Sequence, residues 1–255
     1  MRNRVGVVIP TFERPVETLR AVHSALNQST KPAHILVIDD GSGEETREKL
    51  RSTLNYKTVE YLELDHSGHP GKVRKVGVDR LDTEWIAFLD SDDEWLPRKI
   101  EKQLLQLKIS GKSAICTNAK LRHNNQNYFS EKIRKSTFNQ NDLINRNLVI
   151  CSSAMVSRTL LLQAGSFADA ISVRGAEDYA TWLRIVQFTD WEYLHEPLVQ
   201  YSDMSPDSLR IEVEKLGTPP NLLGLEDFSE WINPQKNAYL ELSILKSKIL
   251  KKLNR

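Results

Sequence analysis

Residues 85–97 read WIAFLDSDDEWLP, in which an apolar run changes abruptly to an acidic one. The first five residues are all apolar, which predicts a short strand buried on both faces. Asp90, Asp92 and Asp93 follow at once, although neighbouring carboxylates repel one another. Two explanations are open at this point. Either the acidic residues form a turn that caps the next helix, or they concentrate negative charge to hold a cation.

Three predicted strands upstream end in a similar way, in proline or acidic residues. They span residues 5–9, 34–38 and 59–64, and helical patterns separate them at 15–28, 44–54 and 71–81. This alternation with short links predicts an α/β fold, an open and mostly parallel twisted sheet flanked by helices. Ligands of such sheets bind beyond the carboxyl ends of the strands, so the acidic ends are expected to meet at one edge.

The pattern downstream of the acidic stretch is less regular. Helices are expected at about 97–108, 158–164 and 177–188, and strands at 113–117, 148–156, 191–194 and 198–201. Residues 120–147 are polar and Asn-rich and are interpreted as an irregular segment. Residues 203–233 are polar and contain three prolines, which favours a lid-like loop. Residues 236–253 predict an amphipathic, basic helix that docks on its own domain, on a second subunit or on a membrane surface.

Composition excludes several classes of protein. The chain has 255 residues and a net charge of +1, so no bulk field recruits nucleic acid. Its two cysteines, Cys116 and Cys151, are too few for a disulfide framework and suit a reducing compartment. No apolar run approaches the roughly 18 residues of a spanning helix, and the N-terminus does not have the pattern of a signal peptide. We therefore expect a cytoplasmic protein, with peripheral contact on the inner face of the cell membrane left open.

Asp90 and Asp92 are the first candidates for chemistry. In an extended segment their side chains would point to the same side of the chain. Two carboxylates suit a hard divalent cation such as Mn²⁺ or Mg²⁺, with water and substrate phosphates filling the other positions. The alternative is that Asp92 or Asp93 caps the following helix.

Other motifs are weaker. GSGEET at 41–46 resembles a dinucleotide fingerprint, but Thr46 replaces the third glycine and two aspartates precede it. The sequence contains no P-loop, and its histidines lack a metal-ligand spacing. Glu177 and Asp178 open a helical pattern, where they either compensate the helix dipole or present a general base.

Five motifs occur together in a recognisable order. They are VVIPTFERP, VIDDGS, HSGHPGKVRKVG, FLDSDDEWLP and GAEDYATWLRI. In sequence and spacing the chain resembles the family-two glycosyltransferases, which have the GT-A fold, over about residues 5–201. The sequence departs from that family's pattern at Lys75, where an asparagine is usual, and near residues 201–205, where relatives often carry a histidine.

The resemblance implies an inverting transfer of a hexosyl or N-acetylhexosaminyl group from a nucleotide-sugar donor, usually a UDP-sugar. The acceptor would be a saccharide or lipid-linked saccharide in cell-surface polysaccharide or glycolipid synthesis. The cofactor would be Mn²⁺ or Mg²⁺. A homodimer is compatible with the sequence. Two alternatives stay open, a nucleotidyltransferase that makes a nucleotide sugar and an inactive nucleotide-binding relative.

The resemblance also assigns roles by position. Asp178 would be the catalytic base, and Asp92 with Asp90 would bind the metal. The residues expected to bind the nucleotide are Pro10, Thr11, Phe12, Glu13, Asp40, Lys72, Arg74, Asp90, Ser91 and Asp92, with Phe12 stacking on the base. Candidates for contact with the acceptor or donor sugar are Ser152, Ser153, Glu177 and Trp182.

The resemblance divides the chain into two parts. Residues 1–202 would form the GT-A domain, with a nucleotide-binding half at about 1–118 and an acceptor-side half at about 119–202. Residues 203–255 would form a C-terminal extension that carries the lid-like loop and the basic helix.

Overall fold

Four parallel strands form the N-terminal half of the sheet. A computed structural model describes residues 5–129, 133–170 and 173–202. The strands are β1 (Val5–Thr11), β2 (His34–Asp39), β3 (Val59–Glu63) and β4 (Trp85–Phe88). They lie in the order β3-β2-β1-β4, and each connection carries one helix, α1 (Pro15–Leu26), α2 (Glu44–Thr53) or α3 (Pro70–Arg80). Val7, Val8 and Ile9 are completely buried, because the central strand β1 is covered on both faces.

The C-terminal half extends the same sheet with strands of both directions. It contains β5 (Glu94–Trp95), β6 (Ala114–Leu121), β7 (Thr137–Phe138), β8 (Met155–Ser157) and β9 (Trp191–Tyr201). The order continues β4-β8-β6-β9-β5, and β7 pairs with β9. The helices of this half are α4 (Lys99–Ser110), α5 (Gln140–Asn145), α6 (Arg158–Gln163) and α7 (Glu177–Ile185). The α/β fold predicted from the sequence is confirmed, and each antiparallel pair includes at least one strand of this half.

Three local predictions were wrong in this half. The strand expected at 148–156 is a 3₁₀ turn, Cys151–Ser153, followed by the short β8, because the Ser153 hydroxyl bonds the Ile150 carbonyl and favours a turn. The two strands expected near 191–201 are one strand, whose irregularity is taken up by a register shift against β6. The polar segment 120–147 contains β7 and α5, and Asn139 with Asp142 forms the capping box of α5.

An aromatic cluster joins the two halves behind the sheet. The rings of Trp182, Phe88, Phe167 and Trp191 lie in contact, and the Trp182 and Phe167 centroids are 5.7 Å apart. All four side chains are fully buried. Of the helices that the structure describes, none combines the length and the hydrophobicity that crossing a bilayer requires. The predicted lid-like loop and basic helix, at 203–255, lie outside the described residues.

Candidate active site

A cavity of about 590 Å³ opens at the carboxyl ends of β1 and β2. The turn after β4, the start of α7 and the end of β9 complete its walls. Parallel strands place their carboxyl ends at the same edge, which is why segments far apart in sequence meet here. The residues expected at the site that line this cavity are Pro10, Thr11, Phe12, Glu13, Asp40, Arg74, Asp90, Ser91, Asp92, Glu177 and Asp178.

The acidic segment after β4 is a turn. The backbone N–H of Asp93 donates to the Asp90 carbonyl at 3.0 Å, so the premise of an extended segment was wrong. Asp90 and Asp92 nevertheless line the same cavity. The alternative that Asp92 or Asp93 caps the next helix was wrong, because the N-cap residue of α4 is Arg98 and no side chain caps that helix.

The third carboxylate, Asp93, points into the protein. Its side chain is 1% exposed and accepts hydrogen bonds from the Ser152 hydroxyl at 2.5 Å and the Ser202 N–H at 2.7 Å. Burial raises the pKa of Asp93 well above its usual value, and the neighbouring charges of Asp92 and Asp90 add to this. The same Ser152 hydroxyl accepts from the Asp90 N–H at 3.0 Å. Asp93 thus fixes the acidic turn against the end of β9 and leaves two carboxylates for the cavity.

Each of the two cavity aspartates contacts an arginine. Arg74, on α3, donates to Asp90 at 2.6 Å and to Glu177 at 3.0 Å, and it is nearly completely buried. Arg14, which immediately precedes α1, donates to Asp92 at 2.7 Å. Burial and the charge of Asp90 raise the pKa of Asp92, while Arg14 lowers it.

These two carboxylates fit a divalent ion that takes its other ligands from water and a substrate diphosphate. Within residues 5–129, 133–170 and 173–202, no group of three His, Cys, Asp or Glu side chains has the geometry of a metal site. An oxygen-rich pair of aspartates suits Mg²⁺ or Mn²⁺ rather than a thiolate-seeking metal.

Asp178 lies at the first turn of α7 and is half-buried at the cavity wall. Burial raises its pKa to about 7, with a further contribution from the charge of Glu177, while Arg74 acts in the opposite direction. The carboxylate accepts from the Tyr179 N–H at 2.6 Å. A carboxyl group with a pKa near neutrality can exchange a proton at physiological pH, which is what a general base requires.

An aromatic surface forms the other end of the cavity. The rings of Phe12 and His66 stack with centroids 4.4 Å apart, and Phe12 is 42% exposed. Asp40 fixes the loop that carries His66 by accepting from the backbone N–H groups of Ser67 and Gly68, at 3.0 and 2.9 Å. Asp40 therefore shapes this end of the cavity through the loop, in addition to lining it.

The loop that carries His66 packs closely against the turn that follows β2, at Gly41. Gly41 has a φ of +83°, and a Cβ there would lie 2.5 Å from the His66 nitrogen. Glycine is required both for the backbone conformation and for the close approach. The motif VIDDGS thus has a structural reason for its glycine that is separate from any ligand.

Five residues expected at the site are either bonded to other protein groups or lie outside the cavity lining. Glu13 lines the cavity, but its carboxylate accepts from the Gly43 N–H and from the Thr46 hydroxyl at the start of α2. Outside the cavity lining lie Lys72, which is exposed on α3, and Ser152, Ser153 and Trp182, which are completely buried. The last three shape the site from behind and present no surface to a ligand.

Several cavity residues were not predicted. They are Arg14, His66, Gly68, Pro70, Val73, Cys151, Arg174, Gly175, Tyr201 and Ser202. Arg14 and His66 lie inside motifs that the sequence singled out, so closer attention to charged and aromatic positions could have found them. Tyr201 and Ser202 follow an ordinary strand and carry no such signal.

Comparison with known proteins places this geometry in a family. The family model described as Glycosyl transferase family 2 matches residues 6–162. A protein of Rickettsia bellii named "Uncharacterized glycosyltransferase" is 30% identical over 71% of this chain and 26% of its own length. The chain thus spans about a quarter of that relative. An Escherichia coli protein named "UDP-Glc:alpha-D-GlcNAc-diphosphoundecaprenol beta-1,3-glucosyltransferase WfgD" is 25% identical over 72% of this chain and 70% of its own.

The fold also matches a solved structure. The crystal structure of S. aureus TarS 1–349 in complex with UDP-GlcNAc aligns with a TM-score of 0.67 at 17% identity. The alignment covers 81% of this chain and 60% of the crystallised TarS 1–349 chain. At that identity the likeness establishes the shared fold.

Proposed function

The chain belongs to glycosyl transferase family 2, and we propose that it transfers a sugar from a UDP-sugar donor to an acceptor hydroxyl. The observation that carries this proposal is the content of one cavity. An exposed aromatic ring, a pair of aspartates and a carboxyl group with a pKa of about 7 line the same space. The ring could stack on a nucleobase, the aspartates could hold a diphosphate through a metal ion, and the carboxyl group could accept a proton.

Phe12 would bind the nucleobase by stacking on its exposed face. The E. coli relative carries UDP-Glc in its name, and TarS was crystallised with UDP-GlcNAc, which supports a UDP-sugar as the donor class. A hexosyl or N-acetylhexosaminyl group is therefore the proposed cargo.

Asp92 and Asp90 would hold Mn²⁺ or Mg²⁺. A divalent ion bound there supplies a Lewis acid that neutralises charge on the departing diphosphate. Arg74 holds the carboxylate of Asp90 in place through its 2.6 Å contact, and Glu177 fixes Arg74 from the other side. The protein thus orients the pair before the donor arrives, which lowers the reorganisation cost of binding.

Asp178 would act as the general base. The acceptor oxygen forms a bond to the anomeric carbon as the bond from that carbon to the UDP oxygen breaks. The acceptor hydroxyl's proton goes to a carboxylate oxygen of Asp178, and UDP leaves with the bonding electrons. A single displacement of this kind inverts the anomeric carbon. General-base assistance is worth about 10²–10⁴-fold in rate.

The proposed acceptor is a lipid-linked saccharide in cell-surface glycan synthesis, met at the inner face of the cell membrane. The E. coli relative's name describes a lipid-linked acceptor, which supports this class. The location follows from the acceptor, because such a lipid would present its saccharide at the membrane surface.

Calorimetric titration with UDP, with and without Mn²⁺, tests the donor site. We expect binding that depends on Mn²⁺ and that Asp92→Ala abolishes. Asp169→Ala is the matched control, because Asp169 pairs with Lys75 at 2.7 Å and does not line the cavity. Absence of UDP binding under every metal condition would contradict the donor site and favour an inactive relative. Where binding is found, release of UDP from UDP-Glc and UDP-GlcNAc is measured next.

A further inference from the structure

Arg14 forms an ion pair with Asp92, the carboxylate proposed to bind the metal. Its Nη1 lies 2.7 Å from Oδ2 of Asp92, and the two side chains are 22% and 19% exposed. The backbone of Arg14 is fixed, because its carbonyl accepts from both the N–H and the hydroxyl of Thr18 at the start of α1. The side chain therefore reaches Asp92 from a fixed backbone, and the contact between them is partly exposed to solvent.

The other arginine of the site is held differently. The Arg74 side chain is 7% exposed and contacts two carboxylates, those of Asp90 and Glu177. Its guanidinium also lies 5.3 Å from the centre of the Phe167 ring. Arg74 is thus part of the permanent structure, whereas Arg14 lies at the more exposed rim. If a second cation enters the site, Arg14 is the group that can give way.

A divalent ion at Asp92 and a guanidinium on the same carboxylate would lie within a few ångströms of each other. Two cations at that distance repel strongly in a partly buried site. Entry of the metal alone must therefore overcome the Arg14 charge. Entry of the metal with a diphosphate brings new negative charge, which offers Arg14 another partner in the same cavity.

We propose that Arg14 is an internal counter-cation of Asp92, which keeps the metal from binding alone and turns to the donor diphosphate when metal and nucleotide arrive together. This inference rests on the proposed function, since it concerns the same metal and donor. It makes Arg14 a positioning residue that couples the two ligands. The coupling is a property of binding and can be measured without turnover.

The test measures Mn²⁺ binding by the loss of the free-ion electron paramagnetic resonance signal, with and without UDP. In the unaltered protein we expect weak binding of Mn²⁺ alone and binding at least about tenfold tighter with UDP. In Arg14→Gln we expect Mn²⁺ alone to bind about tenfold tighter than in the unaltered protein, with a smaller gain from UDP.

Arg20→Gln is the matched control. It removes the same charge from α1, but Arg20 lies 3.8 Å from Glu94, is half-exposed and does not contact Asp92. It should bind Mn²⁺ and UDP like the unaltered protein. Arg14→Lys keeps the charge and should retain most of the dependence on UDP, which separates an effect of charge from a loss of folding.

Equal affinity of Arg14→Gln and the unaltered protein for Mn²⁺ alone would overturn the inference, even with UDP-dependent binding intact. A different result, in which no variant binds Mn²⁺ even with saturating UDP, would overturn the proposed metal site itself. The two failures are therefore distinguishable in one set of titrations.

Discussion

Replacement of Asp178 by Asn should change both stability and activity, in opposite directions. Burial raises the pKa of Asp178 from its ordinary 3.8 to about 7, with help from the charge of Glu177. The folded protein therefore binds a proton that the unfolded chain releases between about pH 4 and pH 7. Stability from this group is complete below the unfolded pKa and is lost as the pH rises through the folded pKa.

The size of the effect follows from that interval. The pKa difference corresponds to about 4 kcal/mol in the free energy of unfolding. Between the two pKa values the unaltered protein loses about 1.4 kcal/mol of stability for each pH unit. Because Asn stays neutral, the free energy of unfolding of Asp178→Asn, relative to the unaltered protein, should rise between about pH 4 and pH 7 and level off above pH 7. Chemical denaturation at several pH values measures this difference without a substrate, with Asp169→Asn as the matched control.

Activity should follow the opposite course. The kcat/KM for UDP release should rise with pH, from about a tenth of its plateau at pH 6 to the plateau above pH 8, since the base must be deprotonated. Asp178→Asn should lose about 10²–10⁴-fold while it binds UDP normally. A variant whose relative stability does not change with pH would refute the raised pKa. A variant that keeps most of its activity would refute the role as base.

Three further changes test the supports of the site. Phe12→Ala should weaken UDP binding by about fivefold, because a stacked ring contributes on the order of 1 kcal/mol, and calorimetry would contradict this by showing no change. Ser152→Ala should lower the free energy of unfolding by about 1–3 kcal/mol, since it leaves Asp93 short of a donor; unaltered denaturation curves would refute the network. Trp182→Ala should cost about 3–5 kcal/mol if its ring is purely core, and a stable variant defective only in transfer would point instead to a sugar contact.

Sequence reasoning predicted the parallel half well because β1, β2 and β4 are apolar runs with sharp polar ends. Burial on both faces makes β1 continuously apolar, so its pattern admits few other structures. The C-terminal half gives weaker signals. The 3₁₀ turn at Cys151–Ser153 depends on a hydroxyl-to-carbonyl bond, and no apolar periodicity reveals that choice.

The site was predictable to the extent that its residues stand in motifs. Asp90, Asp92 and Asp178 all line the cavity, as expected. The direction of each side chain was not predictable, because it depends on contacts between distant segments. Asp93 points inward, where Ser152 and Ser202, about sixty and more than a hundred residues later, supply its hydrogen-bond donors.

The same dependence limits what the family match can assign. The matched range ends at residue 162, whereas Glu177, Asp178 and Ser202 lie beyond it. Arg74 links the two regions, because one guanidinium bonds both Asp90 and Glu177. A change at Glu177 should therefore disturb the acidic turn as well as the neighbouring base. The N-terminal half carries the aromatic surface and the aspartate pair, but their geometry is completed by the start of α7 and the end of β9.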